Sequence, residues 1–300
     1  VIITGGSGLI GRALSTELAA AGYEVVILSR HPERVMGLPA GVMVSRWDGC
    51  SADGWAGFVE GAAAVVNLAG ENIAAGRWTP ERKRRIHQSR VDAGRAVVAA
   101  LAAASQRPRS VVQASAVGFY GPRGDELVTE ATPRGNDFLA QVCTHWEAST
   151  APVEALGVRR VILRIGVVLS REGGALARLL PPFRLFLGGP LGSGGQWFPW
   201  IHLADVVGAV RFLIENEAAD GVFNLVAPQP VTNAVFTRML AQTLGRPAAL
   251  RVPALALRLL FGAMAAVLLT GQRAVPQRLR EAGYTFRSPE LEPALRDLVG

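Results

Sequence analysis

Lysine is almost absent from this 300-residue chain: of 31 basic side chains only Lys83 is a lysine, and the rest are arginine. That bias reflects codon usage as readily as function. Cysteine is equally scarce. Cys50 and Cys143 are the only two, too few for a disulfide framework, which excludes the small stapled secreted class and favours a reducing compartment. No signal-peptide pattern stands before the first apolar strand, so the cytoplasm is the expected location. Aromatic side chains make up 7% of the sequence, and none interleaves the basic run Arg82, Lys83, Arg84, Arg85. Despite a formal net charge of +7, that run reads as a solvated helical face, and no nucleic-acid partner is expected. Metal-ligand spacing is missing too: Cys143, His145 and Glu147 do not fall at ligand intervals, so no metal is expected. One apolar stretch, Val252 to Gly271, has the length to cross a bilayer, but Arg258 interrupts it and Pro253 and Gly262 break its regularity. It is expected as a buried helix, with no membrane partner.

What is present is apolar bulk and glycine. Half of the residues are hydrophobic and 34 are glycine, enough to bury a large core in one domain with a smaller appended lobe. The first twelve residues, Val-Ile-Ile-Thr-Gly-Gly-Ser-Gly-Leu-Ile-Gly-Arg, pass from a buried strand through a glycine turn into a helix. Gly5, Gly8 and Gly11 carry a Gly-x-x-Gly-x-x-Gly spacing. One glycine lets the chain turn sharply, one admits a pyrophosphate against bare backbone, and one seats the helix on the strand. The amphipathic run Leu9, Ile10, Ala13, Leu14, Leu18 follows, with its free amides and positive dipole end facing the phosphates. A second strand after it completes the context that makes the triplet a dinucleotide site.

That second strand, Glu24 to Arg30, ends about 20 residues after the glycines, where an NAD site places an acid for the ribose hydroxyls. No acid is there. Ser29 and Arg30 stand in its place, so a 2′-phosphate meets a hydroxyl and a guanidinium instead of a repelling carboxylate. NADP(H) is the expected cofactor.

Further strands are expected at Gly41–Asp48, Ala62–Gly70, Ser110–Ser115, Arg160–Gly166 and Val222–Val226, alternating with helices. This pattern predicts an α/β fold, a Rossmann doubly wound parallel sheet with right-handed crossovers and a smaller C-terminal substrate lobe. The nucleotide domain is assigned to residues 1–170 with a return segment at 203–227, and the lobe to 171–202 and 228–300. Within the lobe, the glycine segment Gly188 to Gly195 followed by Gln196 and Trp197 reads as a loop folded over the pocket or as a flexible linker.

These segments resemble the extended short-chain dehydrogenase/reductase family through Thr4-Gly-Gly-Ser-Gly-Leu-Ile-Gly11, Asn67-Leu-Ala-Gly70, Tyr120-Gly121 and Trp200-Ile-His-Leu-Ala-Asp205. More narrowly the chain is similar to the YfcH-like branch of sugar-nucleotide epimerase type, which carries a C-terminal domain of unknown function. The carrying segments are Asn67–Ile73, Ser89-Arg90-Val91, Leu187–Gly194, Gln196–His202 and the tail from Val252-Pro253 to Ala282-Gly283-Tyr284. The resemblance implies that the Leu68, Ala69 and Gly70 backbone lies along the adenosine side of the cofactor and that Asp48 lies near the adenine. It also implies that Arg90 reaches the cofactor from the long helix and that Val168 lines the nicotinamide end. Each has a plainer reading, as strand-end packing, turn acid, surface charge and core valine.

The family's usual chemistry needs a tyrosine four residues before a lysine on one helical face. This chain has no such pair. Its tyrosines are Tyr23, Tyr120 and Tyr284, and in the expected helix the two positions are Phe138 and Val142. Three substitutes are candidates. Ser115 either hydrogen-bonds a substrate carbonyl or caps its strand; Tyr120 either offers its hydroxyl as acid or packs with that hydroxyl satisfied; His202 either works near neutral pH or is bonded within its loop. Asp205 is expected to cap or fasten the following helix. The expectation is an NADP(H)-dependent oxidoreductase or epimerase acting on a small polar molecule, the alternative a catalytically silent NADP(H)-binding sensor.

Overall fold

The computed structural model describes residues 1–299. Its first half runs β1 (Ile2–Thr4), α1 (Leu9–Ala20), β2 (Val25–Ser29), β3 (Val42–Arg46), β4 (Ala64–Asn67), α2 (Pro80–Ala103), β5 (Ser110–Ala116), β6 (Leu127–Val128) and α3 (Phe138–Ser149). There follow β7 (Arg159–Ile165), β8 (Val167–Leu169), α4 (Gly174–Arg184), β9 (Trp197–Phe198), β10 (Trp200–His202), α5 (Leu203–Glu215) and β11 (Gly221–Leu225). The tail holds β12 (Val231–Thr232), α6 (Asn233–Leu244), α7 (Ala254–Phe261), α8 (Ala265–Leu269), β13 (Arg273–Ala274), α9 (Gln277–Glu281) and α10 (Leu291–Val299).

Seven strands form one parallel sheet in the order β11-β7-β5-β4-β1-β2-β3. The chain winds outward from β1 through β2 and β3, then returns to β4 on the other side of β1. That reversal leaves a crevice at the carboxyl ends of β1 and β4, where open α/β sheets take their ligands. Because strand side chains alternate faces, Ile3, Val66 and Val112 pack with Leu14 and Leu18 of α1 and Val206, Val210 and Leu213 of α5. Ile2, Val65 and Val111 turn the other way, onto Val97 and Leu101 of α2. Local chemistry fixes the helix starts: Thr79 caps α2 by accepting from the Arg82 N–H with Pro80 next in line, and Asp137 caps α3 by accepting from the Ala140 N–H.

A third apolar cluster lies outside the sheet. Leu176, Leu180 and Phe183 of α4 meet Phe236 and Leu240 of α6, and Leu291, Leu295 and Leu298 of α10, on Trp200.

Two sequence expectations are corrected here. The Val252–Gly271 stretch is not one buried helix: it breaks at Gly262, whose φ of +59° no helix can hold, and α7 buries Leu257 alone. Leu255, Leu259 and Leu260 are 67%, 69% and 64% exposed. Among the described residues no helix is long and apolar enough to cross a membrane. Residues 188–196, for their part, form no flexible linker. The Gly192 N–H donates to the Val252 carbonyl, the Val252 N–H to the Pro190 carbonyl and the Leu191 N–H to the Asn233 side chain, so the segment is stitched into the tail.

Candidate functional site

The glycine turn has the geometry its spacing requires. Gly5 sits at φ +66° with its back to β4: a Cβ there would lie 2.9 Å from the Leu68 carbonyl carbon. At Gly11 a Cβ would come within 2.5 Å of Gly6 Cα, so the helix can seat on the turn only without a side chain. Gly8 is the N-cap of α1 and supplies no side-chain acceptor, which leaves the amides of the first turn free for an anion.

A cavity of roughly 420 Å³ opens in front of this turn. Its walls are Gly5, Ser7 and Gly8; Ser29 and Arg30 at the end of β2; Trp47, Asp48 and Cys50; Leu68, Ala69, Gly70 and Glu71 after β4; and Ser89 and Asp92 from α2. Eight of the residues expected at the cofactor from sequence thus face one space. Arg30 lies along Gly49, whose bare backbone leaves room for the guanidinium stem. Asp48 lines the cavity and also builds its turn, accepting from the Cys50 and Ser51 amides at 2.8 and 2.9 Å. Those amides hold its carboxyl well below the usual carboxylate range.

The remaining candidates stand off the wall. Arg90 lies behind Gly70, donating to the carbonyls of Glu71 (3.1 Å) and Ile86 (2.8 Å), with its guanidinium over the Trp146 ring. Its place in the structure is to shape the 70–71 loop. Leu9 and Ile10 open α1 and pack on the core, and Leu9 points to Gly174, which also approaches the Val168 carbonyl. Leu9 and the Val168 carbonyl therefore both border Gly174. Asn67 and Thr4 close the crevice floor: Thr4 Oγ1 donates to Asn67 Oδ1 at 2.6 Å, and Asn67 Nδ2 to Gln113 Oε1 at 2.8 Å. This buried row was missed in the sequence, where polar residues ending apolar strands are its one signal.

None of the three catalytic candidates is among the residues lining this cavity. Ser115 is buried and donates to Glu147 Oε1 at 2.6 Å. Glu147 pairs with the Arg164 guanidinium through two 3.0 Å bonds, and Arg164 Nη1 donates to the Tyr120 hydroxyl at 3.1 Å. Tyr120 in turn donates to Asn224 Oδ1 at 2.6 Å. The phenol is fully buried, and burial pushes its pKa up to about 12. The cause is strand alternation. Ser115 and Arg164 are register partners on β5 and β7 and turn the same way, toward α3. His202 is likewise engaged in hydrogen bonds: Nδ1 accepts from the Ala204 N–H at the start of α5, so Nε2 carries the proton and donates to Asp297 at 3.2 Å. Asp205 does not cap α5, whose N-cap is His202; it fastens the tail instead, accepting from the Tyr284 hydroxyl and the Arg287 and Ser288 amides.

Replacing Tyr120 by Phe should therefore act on stability. The buried Asn224 oxygen loses its donor and Arg164 an acceptor, a cost of about 1–3 kcal/mol. Urea unfolding measures it, and a change below about 0.5 kcal/mol contradicts the network.

At the other side of the carboxyl edge, Phe138 opens α3 against the Trp78 ring, centroids 5.2 Å apart. The ammonium of Lys83 lies 5.0 Å from the Phe138 centroid and, among the described residues, has no carboxylate partner. The sequence reading took Lys83 as one member of a basic run; its being the chain's sole lysine was the available signal.

Comparison with known proteins agrees with this architecture. Residues 1–225 match the NAD dependent epimerase/dehydratase family, and residues 252–298 a domain of unknown function, DUF1731. An epimerase family protein SDR39U1 homolog of Arabidopsis thaliana, described as chloroplastic, is 40% identical over all of this chain and 86% of its own length. The crystal structure of human epimerase family protein SDR39U1 with NADPH superposes with a TM-score of 0.88 at 36% identity, covering 99% of this chain and 98% of that one. A nucleoside-diphosphate sugar epimerase from Corynebacterium glutamicum gives 0.77 at 35% identity, covering 99% of this chain and 57% of that longer one. A match over three quarters of the sequence, carried by the glycine turn and the seven-stranded sheet, means that the chain belongs to the NAD dependent epimerase/dehydratase family.

Proposed function

We propose that this chain binds NADP(H) in the crevice and uses it on a small polar substrate, a nucleotide sugar by analogy with the Corynebacterium relative. The observation that carries the reading is Ser29 with Arg30 on the cavity wall at the end of β2, where no carboxylate stands. The residues fit the cofactor. The free amides after Gly8, with Leu9 and Ile10, meet the diphosphate; Ser29 and Arg30 meet the 2′-phosphate; Asp48 borders the adenine; and the Leu68, Ala69 and Gly70 backbone follows the adenosine. Gly5 and Gly11 keep the turn open, Arg90 holds the 70–71 loop from behind, and Val168 borders the nicotinamide end. The human relative crystallised with NADPH supports this assignment. The lobe built from 171–202 and 228–300 is the substrate-facing part.

When bound, NADPH supplies a hydride. The chain's own contribution at the substrate end is Lys83, whose free ammonium has three donors for a substrate oxygen beside Phe138. Titration of the purified protein with NADPH, followed by nicotinamide fluorescence, tests the binding; a panel of carbonyl compounds and sugar nucleotides then tests turnover. Lys83→Met should keep NADPH affinity and lower kcat/KM about tenfold on whichever compound reacts, the loss of one charge-assisted hydrogen bond. Unchanged kcat/KM removes Lys83 from the reading.

A second reading has an observation of its own. Phe138 and Val142 are apolar, and Ser115, Tyr120 and His202 are engaged in structural bonds. A protein that binds NADPH tightly and oxidises none of it across the panel is the silent sensor.

A further inference from the structure

One face of the C-terminal lobe has no partner. Leu185, Phe186, Leu187 and Leu250 are each more than half exposed, and they border the same backbone ladder as the exposed leucines of α7. The Leu250 N–H bonds to Gly188, and Gly192 and Val252 bond across residues 190–192, so the 185–187 turn and the start of α7 flank one strip. Soluble proteins seldom leave apolar side chains contiguous in this way without a use for them. Phe186 adds an independent sign. It is the only non-glycine residue at positive φ among those described, +63°, a strained state for an aromatic residue, and it holds its ring out under the Arg246 guanidinium.

Charge identifies what covers the strip. Arg184, Arg246, Arg251 and Arg258 surround it, all exposed, and none makes an ion pair among the described residues. Residues 173–204 and 221–280 contain no Asp or Glu at all. A second copy of the chain fits badly, because a two-fold contact sets the same patch against itself and brings arginine to arginine with no acid to answer. A bilayer span is excluded by the break at Gly262 and the shortness of α7 and α8. We propose that this face rests on an anionic lipid surface, with Leu255, Leu259, Leu260 and Phe186 entering the interface and the arginines meeting the head groups.

Vesicle flotation tests this on the full chain. The protein should float with vesicles of phosphatidylcholine and phosphatidylglycerol, stay behind with phosphatidylcholine alone, and be released by high salt. The triple variant Leu255→Ser, Leu259→Ser, Leu260→Ser changes only exposed side chains. It should need at least about tenfold more lipid for half-binding while its unfolding midpoint stays put. A wild-type protein that ignores anionic vesicles overturns the proposal, as does a triple variant that floats as well as the wild type. A dimer in sedimentation equilibrium that the triple variant dissolves also overturns it, in favour of self-contact. Because NADPH enters none of these measurements, failure here leaves the cofactor reading standing.

Discussion

Arg30→Ala should weaken NADPH binding by about tenfold to a hundredfold while leaving NADH binding nearly unchanged. The guanidinium is the only formal positive charge on the cavity wall, which otherwise presents Ser29, backbone amides and the carboxylates of Asp48, Glu71 and Asp92. A 2′-phosphate placed there meets this one cation beside Ser29, so its removal deletes charge-assisted hydrogen bonds and leaves the phosphate facing a wall whose remaining formal charges are carboxylates. NADH has no group at that position and so little to lose. Since Arg30 is solvent-exposed, screening draws the effect toward the lower end at physiological salt. Isothermal titration with both nucleotides measures the ratio, and an equal loss for both removes the basis for choosing NADP(H).

Glu147→Ala should be the most destabilising single change considered. Arg164 is 5% exposed, and although burial opposes its charge, the Glu147 carboxylate more than offsets this and raises the guanidinium pKa. Removing the carboxylate strands a buried cation, at about 3–5 kcal/mol, out of a total stability of about 5–15 kcal/mol for a typical domain. Ser115 loses its acceptor in the same stroke. The discriminating comparison is Glu147→Met with Arg164→Met: with both charges gone, much of the loss should return, because an apolar pair needs no partner. Guanidinium unfolding of the three proteins decides it, and a Glu147→Ala cost under about 1 kcal/mol contradicts the buried pair. Tyr120→Phe shares Arg164 with this pair, so its effect should not add to that of Glu147→Ala.

The parts of this molecule that the sequence made readable are those whose determinants are close together along the chain. The glycine turn, α1 and β2 lie within the first 30 residues, and their spacing, amphipathic period and terminal Ser-Arg all act locally. The Ser115, Glu147, Arg164, Tyr120 and Asn224 network is the opposite case. Tyr120 and Asn224 are 104 residues apart, and both faces of β5 are buried, so no alternation of apolar and polar residues reveals which way Ser115 turns. The α7 to α8 region misled for a third reason: apolar composition predicts burial only where another element arrives to cover it, and none does.

The clasp at Asp205 bears on how the chain melts. One carboxylate on the sheet side receives Tyr284, Arg287 and Ser288, and a few residues further on α10 plugs the cluster around Trp200, while Leu279 enters the core beneath α5. Cutting the polypeptide after residue 275 would uncover hydrophobic surface on both bodies at once. Heating should therefore produce a single calorimetric transition shared by the two matched segments, and neither is expected to survive as an independent fragment.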